Sequence, residues 1–124
     1  MEERRRHPRI PSDNKVAVKV ISSPEAPDLE NRTFFCTTAD ISRSGLRFCS
    51  DVPVPVDTSL ELRVSFAQPL RAFVHVGQAV WVREERTATP PRYGVGVTFT
   101  NTATTTHIEW KALLAEMQGT AEQQ

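Results

Sequence analysis

The chain has 124 residues, with 15 basic and 15 acidic side chains and a formal charge of zero. That length suits one domain around one core, and the balanced charge disfavours a broad nucleic-acid surface, which normally needs a clear basic excess. No run reaches the roughly 18 apolar residues of a membrane span, and no apolar signal core follows the basic start, so a soluble, cytoplasmic protein without membrane insertion is expected.

The charge is uneven at the amino terminus, where Arg4, Arg5, Arg6 and Arg9 meet only Glu2 and Glu3 over the first nine residues. His7 precedes Pro8, and a residue before proline is pushed towards extended backbone. Arg5 and Arg9 then stand about 13 Å apart instead of the about 6 Å of a helix, and can grip separated parts of one ligand. Apart from Ile10 the segment has little to bury, so residues 1–15 are expected to form a flexible arm.

Alternating apolar positions separated by Pro, Asp, Asn and Gly then predict an antiparallel β domain over 16–104. Val16, Val18 and Val20 share one face of a first strand. A second runs from Thr33 to Ile41, and Leu46 and Phe48 lie on a short third. Leu60, Leu62, Val64 and Phe66 alternate with Glu61, Arg63 and Ser65 in the most regular run of the chain. The next strand spans Ala72 to Val82, with Gly77 marking a bulge or bend, and the sixth carries Tyr93, Val95, Val97 and Phe99. Six short strands suggest a barrel, which removes most exposed edges.

From Thr106 the period changes. Thr106 and Glu109 read as a capping box, and Trp110, Leu113, Leu114 and Met117 fall on one helical face. The helix is placed at 105–118, with Gly119 ending it and 119–124 as a tail. Cys36 and Cys49, without a Cys-x-x-Cys or histidine partner, read as two small buried hydrophobes.

Two segments carry chemistry. Arginine forks match phosphate oxygens and the O6/N7 edge of guanine two bonds at a time. In Asp40-Ile41-Ser42-Arg43-Ser44-Gly45, the Asp40 carboxylate can accept a pair of N–H bonds from the N1/N2 edge of guanine. Ser42 can serve a phosphate or cap the turn, and Gly45 can supply a positive φ or let a ligand approach the backbone. An arginine run alone is ordinarily a solvated tail, and Asp-x-Ser-x-x-Gly alone is a natural turn composition. Together, flanking strands of a small β domain, they form complementary halves of a guanine-nucleotide site. No paired-carboxylate or nucleophile motif stands out, His7, His75 and His107 lie in unrelated contexts, and Gly94-Val95-Gly96 lacks the rest of a phosphate loop, so no enzyme is expected.

At these residues the chain resembles the PilZ domain family of bacterial cyclic di-GMP receptors. Arg5-Arg6-His7-Pro8-Arg9 fits the family's Arg-x-x-x-Arg motif and Asp40 to Gly45 its Asp/Asn-x-Ser-x-x-Gly motif. The resemblance implies a six-stranded antiparallel β-barrel with a carboxy-terminal helix. It also implies that cyclic di-GMP is bound by Arg5, Arg9, Asp40, Ser42 and Gly45, with Arg4 and Arg6 as neighbouring contacts and no metal or further cofactor. Trp81 could offer a face to a base or belong to the core, and both readings stand. The expected function is a non-catalytic receptor whose arm folds over the ligand and signals to an effector protein, without nucleic acid. The alternative is a PilZ-like adaptor that binds protein and no nucleotide.

Overall fold

The computed structural model describes residues 9–85 and 89–122. In chain order it contains β1 (Ile10–Pro11), β2 (Lys15–Ser22), a 3-10 turn at Pro27–Leu29, β3 (Thr33–Ile41) and β4 (Gly45–Ser50). β5 (Ser59–Ala67), β6 (Leu70–Glu85), β7 (Arg92–Phe99) and the helix α1 (Thr105–Glu122) complete it. β5 shows why these segments are strands: Leu60, Leu62, Val64 and Phe66 are buried while Glu61, Arg63, Ser65 and Ala67 face solvent, the two-residue period of a half-buried strand. β2 repeats the pattern with Val16, Val18 and Val20 inside.

Pairing runs β3-β2-β5-β6-β7-β4 and returns from β4 to β3, so six antiparallel strands close a barrel and β1 adds a seventh against β3. Closure leaves few free edges. Two strands change partners along their length: β3 pairs with β2 up to Thr37 and with β4 from Thr37 onward, and β6 passes from β5 to β7 near Gly77. Irregularities in register bend them where they change, between Thr38 and Asp40 and between Ala79 and Trp81. The shift expected at Gly77 therefore lies two residues further on. Glycine is needed at 77 for space, because a Cβ there would stand 2.6 Å from Val97 Cγ1 and 2.8 Å from the Thr98 carbonyl oxygen.

The arm expected over 1–15 is anchored in its described part. Ile10 and Pro11 pair with Ile41 and Asp40, Ile10 packs against the core, and the Ser12 and Thr38 hydroxyls lie 2.6 Å apart. Asn14 adds a backbone bond from its N–H to Thr38 Oγ1 at 2.9 Å. Short polar side chains can tie down a segment with little to bury.

α1 closes one end of the barrel. Trp110 is fully buried against Phe66, Phe73, His75 and Phe99, with Leu114 beside it. The cap differs from the expected one: Thr104 Oγ1 accepts the His107 N–H at 3.0 Å, so Thr104 is the N-cap and Thr106 lies inside the first turn. Glu109, freed from a capping box, forms an ion pair with Arg71 of β6. The helix also runs past Gly119, because a glycine stops a helix by adopting a left-handed conformation and no described glycine has a positive φ. Among the described residues no helix is long and apolar enough to cross a membrane.

Candidate functional site

The β3–β4 connection is held from three sides. Ser42 N–H and Ser42 Oγ both donate to the Gly45 carbonyl, at 2.9 and 3.2 Å. The Phe99 N–H donates to the Ser44 carbonyl at 2.9 Å, and from inside the barrel Trp110 Nε1–H donates to the Ser42 carbonyl at 2.9 Å. Of the two uses expected for the Ser42 hydroxyl, the turn has it: the residue is 1% exposed. Gly45 has no positive φ; a Cβ at that position would meet the Val97 carbonyl oxygen at 2.1 Å, so only glycine lets β4 lie this close to β7.

Two residues before this turn, Asp40 faces the outside of the wall and both its oxygens are engaged. Arg9 Nη2 and Nε reach Oδ1 at 2.6 and 2.7 Å, and Arg47 Nη2 reaches Oδ2 at 2.6 Å. Register produces the triad, since Asp40 is opposite Arg47 on β4 and opposite Pro11 on β1. Asp40 is only 8% exposed, and a carboxylate so withdrawn from water needs such partners.

Arg47 joins this clamp to an open hollow of about 500 Å³ on the outer face of β4, β6 and β7. Trp81 paves it, with its ring over Gly94 and Gly96; a Cβ on Gly96 would fall 2.2 Å from the indole nitrogen. The Arg83 guanidinium stands 5.8 Å from the Trp81 ring centroid, within range of a cation–π attraction. Arg92 also lines the hollow, with Glu85 opposite it in register. Arg47 Nε is buried and without a hydrogen-bond partner among the described residues, which leaves a donor in reserve. The hollow thus offers an aromatic face and three guanidinium groups against one carboxylate, a chemistry suited to a planar, anionic ligand.

Of the expected site residues, the structure brings Arg9 and Asp40 into contact, sets Trp81 in the adjoining hollow, and uses Ser42 and Gly45 to build the turn behind them. Arg4, Arg5 and Arg6 lie outside the described residues. Arg47, Arg83 and Arg92 were not foreseen. Two of them were within reach of the alternation rule, because Arg47 lies between inward Leu46 and Phe48 and Arg83 is two residues from Trp81 on the same face. The cysteines differ from the expected pair of buried hydrophobes. Cys36 packs partly against the core, where burial pushes its thiol pKa up, but Cys49 lines the hollow, and neither is in a disulfide.

The class of fold is a small closed β-barrel with a helix over one end, and its wall carries an arginine–carboxylate clamp at the entry of β1. Its family is the PilZ domain, whose pattern matches residues 3–116, and the chain belongs to that family. The PilZ domain with c-di-GMP of YcgR from Escherichia coli has a TM-score of 0.70 at 15% identity, over 98% of this chain and 96% of that one. The K. pneumonia MrkH–c-di-GMP complex has a TM-score of 0.74 at 14% identity, over 98% of this chain and 56% of that one. The Bacillus subtilis inhibitor of motility MotI/DgrA has 0.73 at 12% identity, over 94% and 52%. The chain therefore spans about half the length of the last two proteins, and at these identities the shared property is the fold. Comparison with curated proteins yields no sequence match.

Proposed function

We propose that this chain is a non-catalytic receptor for cyclic di-GMP that reports occupancy to a protein partner through its amino-terminal arm. The carrying observation is the Arg9–Asp40–Arg47 clamp beside the Trp81 hollow. A guanine edge offers Asp40 the paired N–H donors that the arginines supply in the free chain, while freed guanidinium groups suit phosphates and the O6/N7 edge. Arg5, four residues before Arg9, completes the clamp in this reading, Ser42 and Gly45 hold its turn, and Arg4 and Arg6 are auxiliary contacts. Because Arg9 ties the end of the arm to Asp40, a ligand that takes over either group changes the arm's attachment, and the effector reads that change. The buried histidines, His75 of β6 and His107 of α1, face each other where the helix meets the barrel, not in the hollow. Sharing of the fold with c-di-GMP complexes of YcgR and MrkH supports the ligand class.

Titration calorimetry against cyclic di-GMP and GTP tests this. A charge-assisted bond is worth about 1.5–3 kcal/mol, so Arg9→Ala and Asp40→Ala are each expected to weaken cyclic di-GMP binding about ten- to a hundredfold. Unchanged affinity in both variants refutes the assignment, as does equal preference for GTP.

A further inference from the structure

The outer wall of β2, β3 and β5 carries a second surface, apart from the hollow described above. Alternation that buries Val16, Val18 and Val20 sends Lys15, Ala17 and Lys19 outward. Register then sets Phe35 of β3 on one side of Ala17 and Arg63 of β5 on the other, with Val74 of β6 beyond Arg63. The neighbouring rungs are Thr37–Lys15–Ser65 and Thr33–Lys19–Glu61. Ala17, small and central, leaves a depression of about 550 Å³ between Phe35 and Arg63, and a second of about 320 Å³ adjoins it towards Val74.

Three features distinguish this face from ordinary barrel exterior. Phe35 is 86% exposed, with nothing in the fold requiring an aromatic there, and Val74 adds apolar surface at 42%. Lys15, Lys19 and Arg63 meet a single carboxylate, Glu61, so the face carries a local charge of +2 on a chain whose formal total is zero. Finally, β3 is shared with the hollow beside the clamp: Ala39 lines that hollow, and Thr37 and Phe35 follow on the same outward side.

We propose that this face docks an acidic segment of a partner protein, with an apolar side chain seated in the Ala17 depression against Phe35 and carboxylates on Lys15, Lys19 and Arg63. Charge complementarity selects the occupant. Single-stranded nucleic acid is a poorer fit, because it needs successive stacking platforms on a cationic track. Here one aromatic stands on the face and Glu61 interrupts the cations. The docking surface stands independently of the nucleotide reading.

The test is a titration of a labelled synthetic peptide alternating glutamate with leucine, its lysine counterpart and oligo(dT), followed by amide shifts and fluorescence anisotropy in low and high salt. The glutamate peptide is expected to shift Lys15, Ala17, Phe35 and Arg63 selectively, with affinity falling about tenfold in Phe35→Ala and further in the Lys15→Glu/Arg63→Glu variant. Cyclic di-GMP titration of the same variants separates the readings, because loss of peptide binding with nucleotide binding retained leaves the clamp intact. Tighter binding of oligo(dT) on this face overturns the proposal in favour of nucleic acid. Self-association abolished by Phe35→Ala overturns it in favour of a second copy, and peptide binding insensitive to both variants overturns it outright.

Discussion

The two tryptophans of this barrel occupy opposite sides of its wall. Trp110 comes from a helix, lies at 0% exposure among Phe66, Phe73, His75 and Phe99, and satisfies its N–H on the Ser42 carbonyl. Trp81 comes from a strand, is 37% exposed, and rests on two glycines with an arginine over its ring. What surrounds each ring decides its use. A ring enclosed by other rings contributes stability, while a ring spread over backbone that lacks side chains turns its outer side to planar partners, here the Arg83 guanidinium. Both nevertheless bear on one place, since Trp110 holds the turn behind Asp40 and Trp81 paves the ground in front of Arg47.

The sharpest way to break this contrast is Trp110→Ala. Removing a fully buried large aromatic costs about 3–5 kcal/mol, and urea denaturation is expected to show that loss. If the fold tolerates Trp110→Ala without a fall in midpoint, Trp110 is not the plug of the barrel. Trp110→Phe keeps most of the volume but strands the Ser42 carbonyl, so it is expected to weaken cyclic di-GMP binding while the barrel stays folded.

A smaller effect concerns pH at the same end of the barrel. Burial, and then the nearby His107, lowers the His75 pKa from 6.5 to about 4, and its ring stacks on Phe99 with centroids 4.0 Å apart. The folded state therefore favours neutral His75. This contribution is complete above the unfolded-state pKa of 6.5 and is lost as pH falls towards about 4, amounting to about 3 kcal/mol in all. His75→Phe keeps the stack and removes an Nε2 that has no partner among the described residues. Its denaturation midpoint is expected to fall less than that of the unaltered chain between pH 7 and pH 4; parallel curves would show that His75 is not the titrating group.

The smallest expected change in stability is on the outer side. Trp81→Ala should lower the unfolding free energy by about 0.5 kcal/mol or less, within the range of surface substitutions, while weakening nucleotide binding severalfold. Gly96→Ala reaches the same ring from beneath and should displace it with a similar loss of binding. A large fall in stability with unchanged binding would place Trp81 with Trp110 as a core residue.

Period-two alternation made the strands legible, because Leu60 to Phe66 can bury one face only as a strand. The site was legible in its halves: Arg9 and Asp40 are in contact across 31 positions of sequence. Of its remaining wall, alternation places Arg47 and Arg83 on the outer face without marking them, or Arg92, as site residues, because arginine is common on exposed strand faces. The helix start was ambiguous for a similar reason, as Thr104, Thr105 and Thr106 are chemically equal caps, and the folded first turn uses Thr104.

By itself the sequence determined what depends on neighbours along the chain: which residues face inward, where proline and glycine break the run, and which motif carries a carboxylate. Tertiary structure decided what depends on strands meeting across the barrel. It engaged the Ser42 hydroxyl in the turn, made Gly45 a matter of clearance from Val97 instead of backbone dihedral, and assigned one tryptophan to the core and the other to the wall. These outcomes rest on distances between segments far apart in sequence, and closure of the barrel brings those segments together.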